Sequence, residues 1–499
     1  EGGAAQSAQA IRQRRNQSAS GKHARGDDFL YGGIGRDGLR GGDGTDRLEG
    51  NRDADMLFGE SGNDLLIGSF GNDALSGGDG DDELLGGPHN DSLNGDADND
   101  LLDGGFASDT VKGGDGDDLI KALDGNDLLD GETGDDTYRV AFLDQKLESL
   151  LRVVESGPVS DTDVFVAEGT NAADHFLLRA SVSGTNAFVA LLVDPSNAPS
   201  DAAYDPSVQR VNYLGVERIV VNGGLGADHF SVDDTHAEVT LNGESGNDSF
   251  QIGQLFRSQR TTAAANVSVD DVFATIETTR GFLSNGISQP MTINGGLGDD
   301  QFFVFHNKAV LSLNGDAGDD QFEVRAFALV GSEEPQRERT DITGGAGADL
   351  VQYAVNAPVN INGGDGFDTL SVVGTEFGDD FVITEDGVFG AGLTINFTRI
   401  ESLRVDGAEG NDRFFVQSTA ESFVTELFGG LGEDTFNMSG DTPPVVSNDL
   451  KGHSGIVAHD VAHSNDLRYT DLKVFGVSSN VADNDEPYVV IRPSGGSSI

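Results

Sequence analysis

The 499-residue chain has no cysteine, which excludes disulfides, thiolate zinc sites and cysteine nucleophiles. Basic residues are scarce: 31 Lys and Arg stand against 85 Asp and Glu, a formal charge of −54. So negative a chain repels phosphate backbones and anionic headgroups, which argues against nucleic acid or a membrane surface as partner and in favour of cations. No uncharged apolar run approaches the ~20 residues of a membrane-spanning helix. No GxSxG elbow and no P-loop occurs, against an α/β-hydrolase or a P-loop nucleotidase. Residue 1 is Glu and no signal-peptide pattern follows it, so a piece of a longer protein is expected.

What the chain has in excess is glycine, 70 residues, and aspartate held in strict phase with it. Residues 23–139 read as thirteen nonads without insertion, starting HARGDDFLY, GGIGRDGLR, GGDGTDRLE. Position 6 is Asp in all of them: Asp28, Asp37, Asp46, Asp55, Asp64, Asp73, Asp82, Asp91, Asp100, Asp109, Asp118, Asp127 and Asp136. Position 8 is Leu in ten nonads and Val111, Ile120 and Tyr138 in the others. Position 1 is Gly in eleven and position 4 in nine. Glycine permits the positive φ of tight turns, a short x-U-x piece suits a three-residue strand, and the Asp directs a carboxylate into the loop.

This GGxGxDxUx pattern resembles the repeats-in-toxin (RTX) calcium-binding family, over about a quarter of the chain. The resemblance implies an all-β fold, a right-handed parallel β-roll in which two nonads make one coil. It implies Ca²⁺ between stacked loops, held by position-6 carboxylates and loop carbonyls. Nonad n would pair with nonad n+2, giving at most about eleven sites in residues 23–140. Hard oxygen ligands without His or Cys suit Ca²⁺ rather than a transition metal. With a Kd near ~10⁻⁴ M, millimolar calcium adds about 1.4 kcal/mol per site, and sub-micromolar cytosolic calcium adds almost nothing. Unfolded passage through a one-step (type I) secretion channel, as the family uses, fits that switch. Asp53, His89, Asp98 and Ala107 replace the position-4 glycine, and Ala122 and Leu123 the leading pair, so the loops around Pro88–Asp91 and Gly104–Asp109 are expected to be the weakest.

From about residue 160 the motif returns at wider spacing, first as NGGLGADHF (222–230) and NGESGNDSF (242–250). The aligned acids are Asp228, Asp248, Asp300, Asp320, Asp349, Asp368, Asp412 and Asp434, with neighbours 19 to 22 residues apart within pairs. One motif loop per coil is therefore expected. Six of the eight inward positions are Phe, against none in the nonads, which predicts a wider parallel β-helix continuing an elongated solenoid. Alternating runs such as Val239-Thr-Leu241 and Leu311-Ser-Leu313 read as its strands, and residues 253–289 and 325–340 as excursions. A larger unit repeats too: VNYLGVERIVVNG (211–223) matches INFTRIESLRVDG (395–407), each preceded by a GTxxxDxF segment at Gly169 or Gly374. Calcium binding in this region is left open, because Gly and Asp also serve turns by themselves.

The expected organisation is a flexible linker (1–22), the calcium β-roll (23–140), a connector (141–159), a degenerate RTX-like β-helix (160–438), and a partial repeat with a linker to a following module (439–499). The ending NDEPYVVIRPSGGSSI resembles the opening of a Calx-β-type module. His459-Asp-Val-Ala-His463 has the spacing of a zincin helix but lacks its Glu and a third His, and coincidence accounts for it. Arg25-Gly-Asp27 spells an adhesion tripeptide, yet its Gly and Asp already serve the first nonad. The leading expectation is a secreted, non-enzymatic structural protein of a cell surface, matrix or adhesive stalk, with cell-surface polysaccharide or further copies of itself as candidate partners. The alternative is a repeat region serving a secreted enzyme or toxin, or a β-helix enzyme acting on polysaccharide, which needs a non-repeating cleft within 160–438.

Overall fold

The computed structural model describes residues 24–123, 125–143, 149–181, 187–192, 208–262, 272–278, 281–325, 339–354, 358–391, 393–438 and 488–491. The described residues are strands and turns without a helix, arranged as an all-β parallel solenoid, so no helix among them is long and apolar enough to cross a membrane. The chain forms two compact units, residues 1–177 with 183–222, and residues 178–182 with 223–499.

In the first unit each nonad contributes one strand, and strands stack in parallel with a register of 18 residues, so that Leu48 lies beside Leu66 and Leu57 beside Leu75. Alternate nonads thus build two sheets, as the n to n+2 pairing predicts. The strands are longer than the expected three residues: Leu65–Phe70 and Ala74–Asp79 each run through positions 7 to 9 and on across positions 1 to 3. Position 1 is skipped in the paired register of Leu101–Phe106 with Glu83–Pro88, so the ladder bends there and resumes. The turn within the strand falls at position 2, where Asn51, Glu60 and Ser69 take φ of +79°, +81° and +75°. From Leu48 to Tyr138 every position-8 side chain is at most 2% exposed. Beyond the nonads, Ser149–Val154 stacks on Leu128–Thr133, and Val164–Glu168 on Thr137–Ala141.

In the second unit, Glu238–Asn242, Met291–Leu297, Leu311–Ala317 and Thr340–Gly347 stack in one parallel sheet, and Ser249–Ile252, Gln301–Val304, Gln321–Val324 and Leu350–Tyr353 in another. Each strand now buries two large side chains, such as Val239 with Leu241 and Phe250 with Ile252, where a nonad strand buries one and a glycine. That second inward side chain is what the longer coil accommodates. Phe230, Phe250, Phe302 and Phe322 stack face to face with centroids 4.8, 5.0 and 4.5 Å apart, and Phe381, Phe414 and Phe436 form a second column at 5.1 and 4.9 Å. Asn242, Asn294 and Asn314 hydrogen-bond side chain to side chain along the coils at 2.8 and 2.7 Å. Within the expected excursion of residues 253–289, Leu255–Phe256, Thr275–Thr278 and Gly281–Ser284 make a small antiparallel sheet of their own.

Candidate metal centre

The 18-residue register stacks every position-6 Asp on the Asp two nonads later. The backbone N–H of Asp46 donates to Oδ1 of Asp64 at 2.7 Å, Asp64 to Asp82 at 2.6 Å, Asp82 to Asp100 at 2.7 Å and Asp100 to Asp118 at 2.8 Å. A second column runs from Asp37 through Asp55, Asp73, Asp91 and Asp109 to Asp127 in the same way. These carboxylates point inward: Asp46 through Asp136 are at most 4% exposed.

Only one oxygen of each is served by this ladder. From Asp37 through Asp118, and again at Asp136, Oδ2 is buried and accepts no hydrogen bond. It lies over the position-1 glycine of its own nonad, next to the carbonyl of the corresponding glycine one coil on. A Cβ placed on Gly50 would sit 2.5 Å from Oδ2 of Asp55 and 2.9 Å from the carbonyl oxygen of Gly68. A carboxylate oxygen and a backbone carbonyl thus converge on a space that only glycine leaves open, and the pair repeats up each column. Orphaned buried carboxylate oxygen is costly unless a cation or a proton neutralises it.

Burial, partly offset by the backbone N–H and aggravated by stacked neighbours, pushes Asp82 and Asp91 up to about 7 and Asp100 up to about 8 from an ordinary 3.8. Hard, anionic oxygen donors without nitrogen or sulfur fit Ca²⁺. A bound calcium ion would supply the positive charge these oxygens lack. The position-6 carboxylates and position-1 carbonyls are the groups that would hold it.

The two edges of the roll differ. Along the loops of Asp46, Asp64, Asp82 and Asp100 runs a groove of about 580 Å³ lined by Thr45, Asn63, Asp81 and Asn99 as well. These position-5 side chains form an outer ladder: the N–H of Asn99 donates to Asp81, that of Asp117 to Asn99 and that of Asp135 to Asp117, at 3.2, 2.9 and 3.0 Å. Position 5 on the other edge carries Arg36, Ala54, Asn72, Asn90 and Ser108, none of them acidic. That edge also presents Ile34, Phe70 and Phe106 to solvent at 74, 59 and 54% exposure. Three of the four position-4 replacements fall there. His89 and Ala107 adopt φ of +90° and +89°, so they keep the turn under strain. The ladder through their loops is intact nonetheless, with the N–H of Asp73 bonded to Asp91 and that of Asp91 to Asp109, both at 2.8 Å.

The wider coils repeat the same cradle. Asp248 donates its N–H to Asp300 at 2.7 Å, Asp300 to Asp320 at 2.8 Å, and both Asp320 to Asp349 and Asp349 to Asp368 at 2.9 Å. Oδ2 of Asp248, Asp300, Asp320, Asp349, Asp368, Asp412 and Asp434 is buried and accepts no hydrogen bond. Asp228 heads this series through its N–H bond to Asp248 at 2.7 Å, and Asp412 reaches Asp434 at 2.9 Å. Burial pushes Asp300 and Asp320 up to about 7 and Asp412 to about 8. From Asp248 to Asp368 each coil carries one such loop, whereas the coil between Asp368 and Glu401 carries a second at Asp379.

Several ladder members were missed from sequence. Asp163 accepts the N–H of Asp136 at 2.9 Å, and its own N–H goes to Glu217 at 3.0 Å. Glu401 takes the N–H of Asp368 at 2.8 Å, and Asp379 donates to Asp412 at 2.7 Å. Asp163 stands 27 residues after Asp136, three nonads on, in an Asp-x-Phe that carries the nonad signal. Glu217 and Glu401 occupy the same place in the two matching long segments, where Glu for Asp hid the equivalence.

Polar groups outside the repeats also converge, in the second unit. Arg179 grips Asp233 through Nε and Nη2 at 2.9 and 2.7 Å, Asn285 bonds Asp234 at 2.8 Å, and His306 bonds the Ser284 carbonyl at 3.0 Å. Asp233, Ser284 and His306 are at most 1% exposed, so this cluster is a sealed network rather than an open cleft. The His459 and His463 pair lies outside the described residues, as do the expected linker of 1–22 and most of the partial repeat of 439–499. Gly26 of the Arg-Gly-Asp tripeptide has φ +109° in the first nonad turn.

Residues 24–39, 40–75, 67–102, 76–111 and 103–138 match the family model of the RTX calcium-binding nonapeptide repeat, which spans four copies. No curated protein matches the chain.

Proposed function

We propose, from a nonapeptide block that belongs to the RTX calcium-binding repeat family, that this chain is a secreted structural solenoid that folds on calcium after export and serves as a stalk, coat or matrix element outside the cell. One observation carries the reading: buried carboxylate oxygens without a hydrogen-bond partner recur in phase through the nonads and return in the wider coils. A column of that kind is held open by its own repulsion where calcium is sub-micromolar and closes where calcium is millimolar. The chain then gains rigidity only in the compartment where it works. Position-6 Asp residues and their counterparts from Asp228 to Asp434 are the proposed ligands, with up to about eleven ions in the nonad block. Both edges carry proposed ligands, and the one that also bears Ile34, Phe70 and Phe106 is the side available to polysaccharide or to another copy.

The test is to incubate the calcium-loaded chain with acidic and neutral polysaccharides and follow both retention and polymer length. Retention that EGTA abolishes, with polymer length unchanged, supports the structural role. Shortening that disappears on substituting a residue outside the repeats, such as Asp233→Asn, would overturn it.

A further inference from the structure

The nonad ladder changes step where its regular part ends. Asp136 sits on the loop before Thr137–Ala141, and the next carboxylate in its column is Asp163, 27 rather than 18 residues on. Into that gap comes Glu155, directly after the strand Ser149–Val154. Ligand oxygens of Asp136, Glu155 and Asp163 all lie within 4.8 Å of one another. Asp136 is 0% exposed and Asp163 2%, and Oδ2 of Asp136 accepts no hydrogen bond. Glu155 is fixed in place: Tyr138 donates its hydroxyl to Oε2 at 2.5 Å, and the N–H of Gly157 bonds Oε1. Glu217, which is exposed, adds a fourth carboxylate next to Asp163.

We propose that Asp136, Glu155 and Asp163 form a separate, non-repeat site for one hard divalent cation, Ca²⁺, which caps the nonad column. The site differs in kind from a nonad cradle. A cradle pairs carboxylate oxygens with glycine carbonyls, whereas three carboxylates from three successive segments meet here. Higher ligand charge gives tighter calcium binding, so this site fills before the column below it. The ion would join Thr137–Ala141, Ser149–Val154 and Val164–Glu168 where the 18-residue register is lost, and would hold the open end of the column shut. The proposal needs no ion in the nonads, because Glu155 and Asp163 lie outside the matched repeats.

Tyr138 makes the site readable, since its ring lies beside the ligands and the chain has no tryptophan. Terbium added to the full-length chain at low micromolar concentration, with excitation of tyrosine, gives sensitised emission as its first event, and Ca²⁺ displaces it. Glu155→Gln and Asp163→Asn, both close to isosteric, are expected to weaken that first event about tenfold or more, whereas Asp64→Asn in the nonad interior leaves it unchanged. Tyr138→Phe should remove the emission while the calcium that competes still binds. If Glu155→Gln and Asp163→Asn titrate like the unaltered chain, or if Asp64→Asn weakens the first event equally, the site does not exist as described. Loss of the calcium-induced circular dichroism change with the terbium event intact would instead count against the nonads alone.

Discussion

The nonad block and the wider coils share one carboxylate cradle but differ in what surrounds it. A nonad strand buries one aliphatic side chain and a glycine, and every nine residues bring another inward Asp. A wider coil buries two large side chains on each strand, stacks phenylalanines at 4.5 to 5.0 Å, and carries one such Asp in about twenty residues. Inward charge per coil therefore halves while apolar burial rises. The same motif is therefore expected to set a strict cation requirement in the thin-cored block and a milder one in the thick-cored coils, because the latter have more hydrophobic stabilisation to set against unneutralised carboxylates.

The largest expected effect separates the two regions directly. With calcium chelated near neutral pH, trypsin should cut the full-length chain at Arg47 and Arg52 well before Arg404 and Arg413, and millimolar calcium should protect all four. Simultaneous cutting in EGTA would erase the distinction. Protonation should replace the cation. Asp82, Asp91 and Asp100 are raised from 3.8 to about 7 or 8, so ionisation favours the unfolded chain: the metal-free fold is unpenalised below about pH 4 and loses stability as pH climbs to about 8. Strand content in EGTA, followed by circular dichroism, should be higher at pH 5 than at pH 8, and calcium should restore it at pH 8.

Two substitutions sharpen the contrast at smaller scale. Phe302→Ala removes the middle of the aromatic column and should cost about 3–5 kcal/mol in the second unit, seen as a lowered denaturation midpoint there with the calcium midpoint of the nonads unmoved. Ala107→Gly relieves a side chain at φ +89° and should stabilise the calcium-bound block by about 1 kcal/mol.

Much of this was legible because the nonad keeps phase. Period alone located the thirteen position-6 Asp residues and the position-8 core, and the resemblance to the RTX repeats implied the two-nonad coil. What it hid was the strand running on through positions 1 to 3, since glycine pairs read locally as turns; position 2 does take a positive φ, yet the ladder resumes beyond it. It also hid Glu155, whose approach to Asp136 depends on a 27-residue step that places no recognisable motif beside it. Glu217 and Glu401 were obscured by residue type, since they stand in the register position of a ladder Asp but break the Asp pattern that the period reveals. The second inward residue of the wider coils, Leu241 or Leu313, was visible as alternation, but its consequence for cation dependence follows only from the packed core.

The most direct test of the account is a far-UV circular dichroism titration of the full-length chain at about pH 7.5 with Ca²⁺, against Mg²⁺ as control. A cooperative gain of strand signal at about 0.1–1 mM Ca²⁺, absent at equal Mg²⁺, is predicted. Full strand content already present in EGTA would contradict it, because the buried Asp oxygens would then need no cation.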